Sequence, residues 1–314
     1  MCHGLGRERL QMGSFAKTLV GSYINNKVSQ LASAARRRIH LDITILCIGD
    51  VVGRAGRSIL SRAVPRLVKE QGIDCVIANV ENAAAGSGLT EALYTKFIRY
   101  GVHLMTMGDH IYRRKEIVQV LEKSDRIVRP ANYPAEAVGR EFAVFETHRG
   151  PAVAVVSLTG RLFMRPPCDC PFRAVDRVLN KIPGDVRIVV VDIHAEATSE
   201  KIAMGWHLNG RASVVFGTHT HVTTADERVL DQGTAYITDL GMTGPYEGVL
   251  GRLKERVLKS LTTGMPAPYD VATDDVRMCG IVVKVDSETG RARHIERICV
   301  DDSSPAEDET QADV

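Results

Sequence analysis

Ile43-Thr44-Ile45-Leu46-Cys47-Ile48-Gly49-Asp50 is an apolar run of strand length that stops at a glycine and a carboxylate. No charge interrupts it, the pattern of a buried strand. The same phrase recurs along the chain. Residues 75–80 form a buried-strand run, apolar but for Asn79, that leads into Glu81-Asn82, and residues 102–107 lead into Gly108-Asp109-His110. Further strand-like runs lie at 153–158, 187–193, 213–216, 235–238 and 281–285. Helical periodicity covers 58–70, where Pro65 either kinks the helix or marks its first ordered turn, then 91–100, 172–181, 199–207 and 248–260. Strands alternating with helices predict an α/β layered domain without internal repeats.

The 314 residues suffice for one large domain or two small ones, with 44% hydrophobic and 25% charged residues. That excludes a collagen-like, coiled-coil or largely disordered chain, and no apolar stretch is long enough to span a bilayer. The net charge of +2 favours neither acidic nor basic partners, but the two ends differ. Residues 1–41 hold seven basic residues and one acidic; residues 301–314 hold six acidic and none basic. The reading is a basic N-terminal extension over 1–41, a domain over 42–300, and an acidic disordered tail over 301–314. The extension can be an unstructured arm, an organelle transit leader or an over-extended reading frame. No large single-sign field supports nucleic-acid binding by bulk charge. Seven cysteines at irregular spacings, with Cys168-Asp169-Cys170 as the one close pair, fit neither a disulfide framework nor a zinc ribbon. A reduced, cytoplasmic chain is expected.

Polar residues accumulate where the apolar runs end. Asp50 follows the first, Glu81-Asn82 the second and Asp109-His110 the third, His194 ends another, and Gly217-Thr218-His219-Thr220-His221 follows 213–216. Ligands bind at strand ends in α/β sheets, so these five ends can converge on one site. Carboxylates, one amide and several imidazoles make an oxygen and nitrogen donor set without thiolate, suited to manganese, iron or zinc in a two-metal centre. Each piece also has a bland reading. Gly49-Asp50 can be a turn, Glu81-Asn82 a capping loop, and His110 a turn histidine. His219 and His221 alternate about Thr220, which predicts both rings on one face of an extended segment.

Asp50, Glu81-Asn82, Asp109-His110, His194 and 217–221 occur in the order of the calcineurin-like metallophosphoesterase motifs. The phrases at 49–54, 81–88, 194–201, 220–228 and 239–245 resemble those of the bacterial YmdB-type 2′,3′-cyclic nucleotide phosphodiesterases. The resemblance runs from about residue 42 to about residue 285. It implies a four-layer α/β sandwich with two divalent metal ions, iron or manganese, on one edge. Asp50, Glu81, Asn82 and His221 would hold the first metal; Glu81 would bridge to a second held by Asp109, His194 and His219. His110 would be the catalytic acid, and a two-metal-activated hydroxide would open a 2′,3′-cyclic nucleotide, or a close phosphoester, to a 3′-nucleotide. A homo-oligomer without membrane or nucleic-acid partners is the accompanying expectation.

This chain departs from the family pattern at two places. Asp109 stands where the family has Asn, which should favour a divalent cation and repel phosphate. After His110 the family has an aromatic residue and Asp, and here the run is Ile111-Tyr112-Arg113-Arg114. The rival readings are a phosphomonoesterase or 3′,5′-cyclic nucleotide phosphodiesterase with the same centre, and a metal-bearing regulatory or RNA-binding protein.

Overall fold

The structure is a computed structural model, and it describes Met1 and residues 41–302. Apart from their edges, the predicted extension and acidic tail lie outside the described residues. The first sheet is built on four parallel strands, β1 (Asp42–Ile48), β3 (Cys75–Asn79), β4 (Leu104–Thr106) and β5 (Ile127–Val128). Helices α1 (Gly53–Gln71), α2 (Glu91–Arg99) and α3 (Ile117–Lys123) connect them in turn. Beyond β1 the sheet continues antiparallel through β13 (Val276–Asp286), which pairs with β14 (Ala292–Asp301) and β12 (Met242–Pro245); the two-residue β2 (Asp50–Val51) lies beyond β12. The second sheet runs β10 (Arg228–Val229), β11 (Ala235–Ile237), β9 (Val214–Thr218), β8 (Ile188–His194), β7 (Ala152–Thr159), β6 (Phe142–Glu146). Its core of β7, β8, β9 and β11 is parallel, with α4 (Pro171–Leu179) between β7 and β8 and α5 (Thr198–His207) between β8 and β9.

Side-chain alternation along these strands sorts the apolar residues into three cores. In β1, Ile43, Ile45 and Cys47 face the other sheet, where they meet Val153, Val155, Val190 and Phe216. Leu46 and Ile48 point the opposite way, onto Leu60 and Val64 of α1 and Phe97 of α2. On the far side, Val156, Val191 and Val215 pack against Val175 of α4 and Met204 of α5. Helix, sheet, sheet, helix: the predicted four-layer sandwich is the observed one.

Several element boundaries differ from expectation. Helix α1 starts at Gly53 rather than at 58 and continues through Pro65, which is exposed and has no N–H to donate to the Ser61 carbonyl. The helix expected over 248–260 exists only as α6 (Lys254–Thr263), because Leu250 and Gly251 take positive φ and Val249 and Arg252 close a turn. The short strand expected at 281–285 lies in the C-terminal half of the eleven-residue β13, and its partner β14 reaches Asp301, one residue into the predicted tail.

Candidate metal centre

Every residue singled out at a strand end sits on one edge of the sandwich. Asp50 follows β1, Glu81 and Asn82 follow β3, Asp109 and His110 follow β4, His194 closes β8, and His219 and His221 follow β9. Parallel strands with crossover helices deliver all these ends to the same side. Asp50, Glu81, Asn82 and His194 are buried. A Cβ on Gly108 would lie 2.2 Å from His194 Cδ2, so only glycine lets that imidazole approach the backbone just past β4.

Donor atoms of Glu81, Asp109, His194 and His219 all lie within 4.8 Å of one another. His194 Nε2 is 3.2 Å from Glu81 Oε1, 3.1 Å from Asp109 Oδ1 and 3.0 Å from His219 Nδ1. Asp50, Asn82 and His221 form an adjoining group. His221 Nε2 is 3.9 Å from Asp50 Oδ1 and 3.2 Å from Asn82 Nδ2, which also donates to Glu81 Oε1 at 3.3 Å. Asp50 Oδ2 accepts the His219 amide at 3.0 Å, while Asp50 Oδ1 is buried without a hydrogen-bond partner. His110 stands at the rim with Nδ1 2.7 Å from Asn82 Oδ1, and its amide donates to Glu81 Oε2 at 3.2 Å.

Each of the three imidazoles in the two groups has one nitrogen tied outward and the other turned inward. His194 Nδ1 donates to Thr218 Oγ1 at 2.9 Å, because the Thr218 hydroxyl proton is committed to Asp192 Oδ1 at 2.6 Å. His219 Nε2 lies 3.3 Å from Glu196 Oε2, and His221 Nδ1 donates to the Leu250 carbonyl at 3.1 Å. Such outer partners fix tautomer and ring direction in metal-ligating histidines. With the orphaned Asp50 oxygen and the all oxygen and nitrogen donor set, this arrangement fits divalent cations.

Charge crowding dominates the titration of these groups. Burial alone would lower the His194 pKa, yet the Glu81 carboxylate and then Asp109 hold it well above the usual imidazole range. Burial raises Asp109 and Glu81, but the imidazoles around them together outweigh it, His194 foremost, with His219 and His110 adding at Asp109 and His110 at Glu81, and both carboxyls end below their ordinary values. Asp50 goes the other way; burial, with the Glu81 and Asp239 carboxylates, raises it more than His221 and His194 lower it. A proton shared at His194 thus supplies part of the positive charge that the carboxylates demand.

The 219–221 segment is not extended. His219 and His221 have φ of +93° and +63°, and the bend sends His219 toward Asp109 and His194 and His221 toward Asp50 and Asn82. The two rings serve two groups rather than one face. Sequence reading also missed Asp192, a buried carboxylate that accepts from Thr218, from Thr106 at 2.6 Å and from Asn79 at 3.1 Å. Glu196, Lys201 and Asp239 lie within the phrases at 194–201 and 239–245 but without an assigned role there; Lys201 pairs with Asp239. Asp239 stands just past β11, so the strand-end rule could have found it.

A family profile described as YmdB-like protein matches residues 46–298. A relative from Bacillus subtilis strain 168, named 2′,3′-cyclic-nucleotide 2′-phosphodiesterase, is 44% identical over 258 residues, 82% of this chain and 97% of that protein. The crystal structure of a hypothetical protein from Thermus thermophilus superposes with a TM-score of 0.77 at 40% identity, covering 82% of this chain and 99% of that one. A novel phosphatase from Mycoplasma pneumoniae superposes with a TM-score of 0.79 at 32% identity, covering 84% and 95%.

Proposed function

Because this chain belongs to the YmdB-like protein family, we propose that it is a metal-dependent phosphodiesterase that opens 2′,3′-cyclic nucleotides to 3′-nucleotides. The observation that carries the reading is the convergence of four donor residues within 4.8 Å at the strand ends. The chain's similarity to a relative named for that reaction supplies the substrate class. In this reading Glu81, Asp109, His194 and His219 would hold one cation, and Asp50, Asn82 and His221, with Glu81, would hold a second. The unpaired Asp50 oxygen supports the second assignment. Asn82 turns its amide oxygen to His110, so a half-turn of the amide accompanies its service as a ligand. Bound there, two divalent cations supply the Lewis-acid charge that acidifies a water and offsets negative charge on the phosphate oxygens. Oxygen and nitrogen donors without thiolate support iron or manganese.

The chain's own side chains handle the leaving group. With Nδ1 of His110 held by the Asn82 amide, through Oδ1 as the amide stands and through Nδ2 after the half-turn, Nε2 is the ring nitrogen that carries a proton to the substrate. A ribose alkoxide is a poor leaving group and needs that proton. Hydroxide, a water that has lost its proton to solvent, forms the new P–O bond opposite O2′ as the P–O2′ bond breaks, His110 protonates O2′, and the phosphate stays on O3′. The outer ties on His194, His219 and His221 keep the inward nitrogens aligned throughout.

No helix among the described residues is long and apolar enough to cross a membrane. Free Cys47, Cys75, Cys168, Cys170, Cys279 and Cys299 support a reducing, cytoplasmic setting for the enzyme. The same reading takes the enzyme to be a homo-oligomer, which light scattering of the purified chain measures. Elemental analysis together with product analysis on 2′,3′-cyclic AMP tests the whole proposal. Two metals per chain and a 3′-product are expected. A 2′-product, or preferential turnover of a phosphomonoester or a 3′,5′-cyclic nucleotide, would replace the assigned reaction.

A further inference from the structure

Two polar residues beside the centre have no part in that scheme. Lys201 of α5 and Asp239 after β11 are each 1% exposed and pair at 2.6 Å between Nζ and Oδ2. A buried ion pair seldom stabilises a fold more than apolar side chains of the same size, so this one calls for another reason. Asp239 Oδ2 also accepts the Thr220 hydroxyl at 2.7 Å and the Thr220 amide at 3.4 Å, and Oδ1 accepts the Gly241 amide at 2.8 Å. Thr220 stands between His219 and His221, whose positive φ angles non-glycine residues keep only where the surroundings hold them. Room for the pair is built into β9. A Cβ on Gly217 would lie 2.8 Å from Lys201 Cδ and 1.9 Å from the Thr238 carbonyl oxygen.

We propose that Lys201, Asp239 and Thr220 form a positioning clamp that holds the strained bend, so that His219 and His221 present their inward nitrogens to two different cation positions. The clamp rests on the two-metal reading of the site. Glu196 and the Leu250 carbonyl orient the two rings, and the clamp fixes the backbone between them. Lys201 also neutralises Asp239 and occupies one of its oxygens, which keeps this carboxylate on Thr220 and out of the ligand set.

Thr220→Val in the full-length chain cuts the hydroxyl link and leaves the buried ion pair intact. Calorimetric titration with Mn²⁺, well below the unfolding temperature, should show affinity about tenfold weaker, the low end for loss of an outer partner, with Thr220→Ser restoring it. Lys201→Met should weaken binding further; if that variant does not fold, the Thr220 pair of variants decides. Thr234→Val is the control. It breaks buried bonds from the Thr234 hydroxyl to the Ala212 and Leu208 carbonyls, so it should lower Tm and leave Mn²⁺ affinity unchanged. Wild-type affinity in Thr220→Val would overturn the clamp and leave the two-metal reading standing. Equal weakening in Thr234→Val would make the effect general stability and overturn the positioning role. A wild-type chain that takes up no Mn²⁺ would overturn the metal reading, and the clamp with it.

Discussion

Truncating His110 to alanine should divide substrates by their leaving group. The side chain makes one close hydrogen bond, Nδ1 to Asn82 Oδ1 at 2.7 Å, while the His110 amide bond to Glu81 survives truncation. Losing such a side-chain bond costs about 0.5–1.5 kcal/mol, so loosening of Asn82 alone accounts for at most about tenfold. Losing a positioned general acid costs about 10²–10⁴, or about 2.7–5.5 kcal/mol. Both losses apply to 2′,3′-cyclic AMP, whose ribose oxygen must be protonated as it departs. Only the smaller one applies to bis-p-nitrophenyl phosphate, whose leaving group departs without a proton. The assay is kcat/KM on both substrates, with metal content measured on each preparation. The loss on the cyclic nucleotide should exceed the loss on the aryl ester by the general-acid factor, about 10²–10⁴. Equal losses would remove the general-acid role, and a missing metal would make His110 a ligand instead.

Asp109→Asn should raise turnover at saturating metal, because it removes a negative charge beside the phosphate, and should weaken metal binding because Asp109 approaches both His194 and His219; lower turnover measured at saturating Mn²⁺ would refute the charge argument. Deleting residues 1–40 should leave metal content and kcat/KM nearly unchanged, since every candidate ligand lies beyond Asp42; a loss above about tenfold, roughly 1.4 kcal/mol, in a normally folded truncation would contradict this. Asp192 is buried, and burial is the main reason its carboxyl is pushed up to about 6. Its folded pKa exceeds the unfolded value of about 3.9, so in metal-free protein this group loses about 2–3 kcal/mol of stability as pH rises from about 4 through about 6. Unfolding free energies of metal-stripped Asp192→Asn and wild type should therefore diverge in the variant's favour across that window and run parallel above it; a difference independent of pH would refute the assignment.

The alternation of apolar runs with helical periodicity, and the polar residue at the end of each run, were legible in the chain because both are local. A buried strand must be apolar, and a parallel strand must be followed by a crossover, so Asp50, Glu81, Asp109, His194 and 217–221 could be placed on one edge without coordinates. Membership of a sheet was not legible. In β1 both faces are apolar, and only the tertiary arrangement sends Ile45 to the opposing sheet and Leu46 to α1. Strand β14 escaped notice because exposed charged residues, Arg293, Glu296 and Arg297, fall on both of its faces and break the apolar pattern, and its place depends on pairing with β13. The division of labour between His219 and His221 came from two backbone angles that a two-residue spacing does not encode. Burial of Lys201 and Asp239 depends on strands and a helix far apart in sequence closing around both charges. Local pattern therefore determined which side chains reach the metal edge. Long-range packing decided which way each one points there, because direction comes from partners contributed by other strands.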